Sequence, residues 1–196
     1  MESALLTGLG LAAPAGLNAY VPLLILALAA RFSSTITLER PYHFLSSNWG
    51  IAVVVLLLTI EVVVDKVPGL DHANDLVQSA IRPAAGAVLA MAATSDVASL
   101  NPVVSLILGL LAAGGVHAAK ATARPAVTLA TGGIGNPLVS LVEDGAAAVA
   151  SVLAIFLPIL SLAFLLLLVV GGLWAYRRLR RRLGRSSALA SNTLRR

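Results

Sequence analysis

The sequence contains no cysteine, which excludes disulfides, thiol catalysis and thiolate metal sites. Charge is scarce too. Asp, Glu, Lys and Arg make up 12% of the 196 residues, against 58% hydrophobic residues, and mean hydropathy is +0.91. That balance lies outside the range of soluble domains and inside that of polytopic membrane proteins. No nucleophile-base motif, phosphate loop or dinucleotide fingerprint occurs. The stretch "TGGIGNP" from Thr131 is Gly-rich, but it lacks the Lys and the preceding strand of a phosphate loop and reads as a connector.

The net charge of +5 does not point to nucleic acid. Eight of the 14 Lys and Arg residues lie between Arg177 and Arg196, leaving six basic residues against nine acidic ones in the body. The chain therefore divides into a transmembrane helical domain, 1–176, and a basic cytoplasmic tail, 177–196, suited to anionic lipid.

What the sequence does have is apolar length. A span needs about 20 apolar residues, and the chain accommodates about six. The N-terminal stretch lacks the basic start of a signal peptide and is read as an uncleaved first span from Ala4 to Ala30, with a break at Pro14 and Gly16. The second runs from Trp49 to Asp65 and ends at Pro68 and Gly69. The third runs from Asp71 to Ala93 through Arg82 and Pro83. The fourth covers Val103 to Ala119, with Gly109, Gly114 and Gly115 as small packing residues. "KATARPAVTLATGGIGNP" is then expected to be a loop. The fifth runs from Pro137 to Leu157, and Pro158 divides it from the sixth, Ile159 to Tyr176, which is the most uniformly apolar and so the most lipid-exposed. The positive-inside rule puts Lys66, Lys120, Arg124, the tail and both termini in the cytoplasm of a multi-pass membrane protein.

The few charges are placed so as to converge. By helical rise, Glu61 lies roughly 8 Å inside the cytoplasmic end of its helix, and Glu143 and Asp144 roughly 9 to 11 Å inside theirs. Glu61 shares a face with Asp65, and Asp71 shares one with Asp75; Arg82 lies seven residues further on the same side. His117 and Lys120 close the fourth span. A charge at membrane depth costs about 2.5 to 3.5 kcal/mol even on the lenient insertion scale, so such groups face a partner or a polar path. Arg82 is expected to pair with Glu143 or Asp144. Glu61 is the candidate proton or cation group. Asp71 is a candidate helix cap, and His117 reads first as a packing residue. Asn18, at the break in the first span, offers its amide to an ion, a lipid group or a neighbouring helix. No cofactor is implied, although the acids between Glu61 and Asp75 have the chemistry to hold a divalent cation.

A faint repeat relates "GLGLAAPAGLNA" to "LILGLLAAGGVHA", and "NDLVQSAIRPAA" to "NPLVSLVEDGAA". Chance matching is the competing explanation in so Ala- and Leu-rich a chain. Taken together, "GLNAYVPLL", "EVVVDKVPGLDHANDLVQSAIRPAAGA", "HAAKATARP" and "NPLVSLVEDGAA" resemble the domain of unknown function 4126 family of bacterial membrane proteins over roughly residues 5–160. That resemblance implies a multi-pass fold in the bacterial plasma (inner) membrane and no settled activity.

The expectation is therefore an all-α, polytopic transmembrane bundle that acts as a small transporter or channel for a cation or a proton-coupled solute. Its small size points to a homodimer. Two alternatives remain open: a membrane enzyme holding a divalent metal and a lipid diphosphate on its cytoplasmic carboxylates, and a scaffold.

Overall fold

The computed structural model describes residues 2–64 and 70–164, together with 166, 167, 170, 171, 174 and 177; the side chains of 2, 70–73 and 75 fall outside that description. The described residues form an all-helical bundle. Its helices are α1 (Glu2–Ala15), α2 (Tyr20–Phe32), α3 (Asn48–Val64), α4 (Leu70–Ala93), α5 (Pro102–Thr131) and α6 (Asn136–Phe156), with a 3-10 turn at Tyr42–Ser46. Residues 158–164 are helical as well. Three helical stretches, Leu76–Ala93, Pro102–Thr131 and Asn136–Phe156, are long and apolar enough to cross a membrane, and α1, α2 and α3 are shorter apolar helices.

The centre of the bundle is α1, which touches α2, α4, α5 and α6. Small residues allow that close approach. Leu11, Ala12 and Ala15 have no exposed surface, and Gly8 sits against the backbone of Ala90. Between α4 and α5, Gly86 and Gly109 face each other so tightly that a Cβ on either would run into the other's carbonyl oxygen.

The first apolar segment is not one broken span but a hairpin. Pro14 ends α1, where the amides of Leu17 and Asn18 both turn back to the Pro14 carbonyl at 2.9 and 3.2 Å. Asn18 then starts α2, its Oδ1 accepting from the amides of Tyr20 and Val21, each at 3.0 Å. Chain reach fixes the direction. The tip of the hairpin lies level with His117 and Arg82, since Gly16 abuts the His117 backbone and Arg82 bonds His117. The Glu39 amide bonds Ser95 Oγ at 3.0 Å, and the Tyr42 phenol reaches Met91 Sδ at 3.4 Å. Had α2 continued in the direction of α1, Phe32 would end about 20 Å beyond the tip, with Ser95 about 20 Å on the other side. The chain from Phe32 to Glu39 spans at most about 25 Å. So α2 runs back alongside its neighbours, and it packs on α3 and α6.

A second difference concerns "KATARPAVTLAT", expected as a loop. It continues α5, which runs 30 residues with Pro125 inside it. Proline costs one backbone hydrogen bond there, but the helix is already anchored by packing and closes cleanly. Asn101 caps its start, accepting from the Val103 amide at 2.9 Å, and Gly132 ends it in the left-handed region at φ 61°. Helices α3, α4 and α6 begin and end within about one residue of expectation, inside the ordinary scatter of helix boundaries. The break before Pro158 is also present, at Leu157. Beyond it the chain folds back, because Ser161 Oγ donates to the carbonyls of Ala150 at 2.9 Å and Gly10 at 3.4 Å. Ile159, Leu166, Leu167, Val170 and Trp174 are exposed, as the apolarity of that segment implies.

Candidate functional site

At the level of the hairpin tip, four elements bring ionised side chains together. Helix α3 contributes Glu61 and α4 contributes Arg82, both essentially without exposed surface. The Arg82 guanidinium donates from Nη2 to Glu61 Oε1 at 3.1 Å and from Nη1 to His117 Nδ1 at 3.2 Å. Arginine can only donate, so in this contact the Nδ1 of His117 accepts. Three residues further along α5, Lys120 Nζ lies 2.9 Å from Glu143 Oε2 of α6, and Arg124 Nη2 reaches the same oxygen at 3.4 Å.

The hairpin tip is tied into this layer from both sides. Lys120 Nζ also donates to the Leu17 carbonyl at 2.9 Å, and Asn18 Nδ2 donates to Asp144 Oδ1 at 2.9 Å. Both contacts follow helix-end electrostatics. A cation sits at the carbonyl-rich end of α1, and an acid, relayed by Asn18, sits at the amide-rich start of α2. Among the described residues, Glu61, Glu143 and Asp144 balance Arg82, Lys120 and Arg124 in charge. Balance is what burial demands, since an uncompensated charge here would carry a desolvation cost of several kcal/mol.

Most of the residues singled out in the sequence meet here. Asn18, Glu61, Arg82, His117, Glu143 and Asp144 all belong to the layer, and the ambiguity over Asn18 resolves toward a bond with a neighbouring helix. The contacts described differ from the expected pairing of Arg82 with an acid of α6. Arg82 is held by Glu61 and His117, while Glu143 takes Lys120 and Arg124, and Asp144 takes Asn18. The acids of α6 are drawn to α5 and to the hairpin tip, which lie closer on their side of the bundle. Asp65 and the side chains of Asp71 and Asp75, on which a divalent cation would rest, lie outside the described residues. Among the described residues, no three of His, Cys, Asp and Glu come together as a metal would need.

Sequence reasoning passed over Lys120 and Arg124 as site residues, along with Tyr20 and Gln78. Lys120 figured only in orientation and as the close of the fourth span, and Arg124 only in orientation. Gln78 is 3% exposed and lies four residues before Arg82 on one face of α4, so helical spacing from Arg82 was an available signal. Tyr20 follows Asn18 by two residues and is 9% exposed.

Three helices long and apolar enough to cross a membrane, packed round a buried layer of paired charges, fit the class of membrane proteins. The chain belongs to the DUF4126 family, a domain of unknown function, whose family model matches residues 5–178. No curated protein and no solved structure matches it.

Proposed function

We propose that the chain is a small integral-membrane transporter for a cation or a proton-coupled solute, and that the charge layer at the hairpin tip is its coupling site. One observation carries this reading: six ionised side chains are gathered around the turn of a broken, returning helix pair. Non-helical backbone at membrane depth is tolerated where protein or a polar path surrounds it, and transporters place their binding sites at such breaks. Glu61 is the proton- or ion-carrying group, and Arg82 is its switchable counter-charge. Lys120, Arg124, Glu143 and Asp144 hold the tip and line the way past it.

Depth and sidedness follow. Helices α1 and α2, at 14 and 13 residues, reach only about 20 Å into a core of about 30 Å, which places the layer in the far third. The positive-inside rule turns the Lys120 and Arg124 end toward the cytoplasm of a bacterial plasma membrane. A returning hairpin then puts the N-terminus outside, in place of the cytoplasmic N-terminus expected from six crossings. The Arg-rich tail engages anionic lipid, and a homodimer supplies the bulk that one small chain lacks.

The test is flux in reconstituted vesicles, followed with an internal pH dye and with sodium or potassium as the imposed gradient. The wild type should move protons or one of these cations, and Glu61→Gln should lower that flux at least about tenfold while keeping a monodisperse, detergent-stable protein. Equal flux in a well-folded Glu61→Gln variant would remove Glu61 from the mechanism. Vesicles no leakier than protein-free controls would remove the transport reading.

A further inference from the structure

Of the two groups that share the Arg82 guanidinium, one has its protonation state fixed by that contact. Arg82 Nη1 lies 3.2 Å from His117 Nδ1, and Nη2 lies 3.1 Å from Glu61 Oε1. A guanidinium only donates, so Nδ1 is bare and the ring is neutral, with its proton on Nε2. That holds whatever Nε2 itself donates to. The backbone carrying the ring is also fixed. Gly16, at the end of α1, abuts α5 so closely that a Cβ there would strike the Ala113 carbonyl and the His117 amide. A change of charge at His117 is therefore answered by side chains and not by a shift of α5.

A proton on Nδ1 is incompatible with the Arg82 contact. It would aim one N–H at another and set cation against cation where screening is weak. Imidazole is the side chain whose ordinary titration falls between about pH 5 and 8. His117 is also the most accessible of the three, 8% exposed against 2% for Glu61 and none for Arg82. The charged and titratable groups around it have other partners. Lys120, three residues further along α5, is held by Glu143 of α6 and by the Leu17 carbonyl, and Arg124 shares Glu143. Asp144 of α6 takes Asn18, and Tyr20 of α2 lies within hydrogen-bonding reach of Gln78 of α4. Asp65 and the side chains of Asp71 and Asp75 lie outside the described residues. We propose that His117 is a pH-sensing positioning residue: a proton arriving from water on Nδ1 drives Arg82 off α5 and onto Glu61, which closes the coupling carboxylate. The ring becomes imidazolium, Arg82 keeps its charge, and Glu61 takes no further proton or cation until Arg82 moves back. This rests on the transport reading and adds its regulation, so acidification slows transport.

The experiment follows the full-length protein in detergent by NMR, with nitrogen-labelled histidine and arginine. The His117 signals are identified by their loss in His117→Asn, and the Arg82 signals by their loss in Arg82→Lys. At neutral pH Nδ1 should be bare, and acidification should protonate it while the Arg82 signals shift with the same midpoint. In His117→Asn the side-chain oxygen takes the place of Nδ1 and accepts at every pH, so the Arg82 signals should stay where they are. In vesicles, wild-type flux should fall as pH is lowered through that midpoint, by up to about tenfold per pH unit, the limit for one titrating group, and flux through His117→Asn should not follow. Four results overturn the switch: a proton on Nδ1 at neutral pH, a ring that takes up none between about pH 5 and 8, Arg82 signals that ignore the titration of His117, or the same flux profile in wild type and His117→Asn. In each the transport reading stands as long as wild-type vesicles move protons or cations. A coupled titration of His117 and Arg82 in a protein whose vesicles are no leakier than protein-free controls upholds the switch and brings down the transport reading.

Discussion

The Arg82 side chain has no exposed surface and shares its two terminal nitrogens between Glu61 and His117. A pair so placed contributes little net stability as a unit but is costly to break. Removing one partner strands a desolvated charge, whereas removing both with apolar groups of similar volume is often neutral or favourable. Arg82→Met alone is therefore expected to lose about 3 to 5 kcal/mol, and Glu61→Leu with Arg82→Met should recover most of it, as read by thermal unfolding in detergent. If the double variant is as unstable as the single one, the pair is a packing device rather than a charge couple. Asn18 gives a second expectation. Its side chain both caps α2 and holds Asp144, so Asn18→Ala should cost about 1 kcal/mol for the cap and more for Asp144. Asn18→Asp should fare worse than Asn18→Ala despite being a good cap, because it sets one carboxylate against another. At this scale the sequence showed which residues sit at one depth, since helical rise is regular. It did not show partners across helices. Rise says nothing of how α6 is rotated relative to α4, and that rotation sends Glu143 to Lys120 and leaves Arg82 to Glu61.

Among the elements, α4 and α5 approach through Gly86 and Gly109, where backbone meets backbone. Gly109→Ala must push the helices apart and is expected to destabilise by about 1 to 3 kcal/mol, the usual cost of overpacking. Gly115, on the exposed side of the same helix, has nothing within 4 Å of the position a Cβ would take. Gly115→Ala should therefore be neutral or stabilise by up to about 1 kcal/mol through helix propensity. Parallel thermal unfolding of the two variants checks the contrast; equal losses would mean that Gly115 faces an interface outside this chain. Composition marked both glycines as packing residues, and only the arrangement of helices separates them. The length of α5 escaped for a related reason. Arg124 and Pro125 look like loop residues beside an apolar run, yet Arg124 is retained in the helix by Glu143 at 3.4 Å, a tertiary contact that outweighs the local preference. Helices α3, α4 and α6 were legible because each is a long apolar run bounded on at least one side by Asn, Gly or Pro, and Pro83 inside α4 does not interrupt that run.

For the whole molecule, the decisive feature is that α1 and α2 return to the end from which they started. A kink and a reversal look alike in sequence, because Pro14 and Gly16 permit either; what separates them is the bond from the Glu39 amide to Ser95 Oγ, which no local pattern encodes. The difference changes the count of crossings before α3 and so the side on which the N-terminus lies. A chain without cysteine makes this measurable, since each introduced thiol is the sole reactive site. Ser3→Cys, Ser34→Cys and Ala98→Cys are exposed positions at one end of the bundle, and Ile134→Cys lies in the turn between α5 and α6 at the other. A membrane-impermeant maleimide should label the first three from the outside of intact cells and Ile134→Cys only in inside-out vesicles. Under a single first crossing, Ser3→Cys would instead react together with Ile134→Cys. Ser34→Cys and Ala98→Cys would still react from outside, so labelling of Ser3→Cys alone separates a hairpin from a span. Because the charge layer is built around the hairpin tip, labelling of Ser3→Cys with Ile134→Cys would also take Asn18 and the Leu17 carbonyl out of register with Asp144 and Lys120.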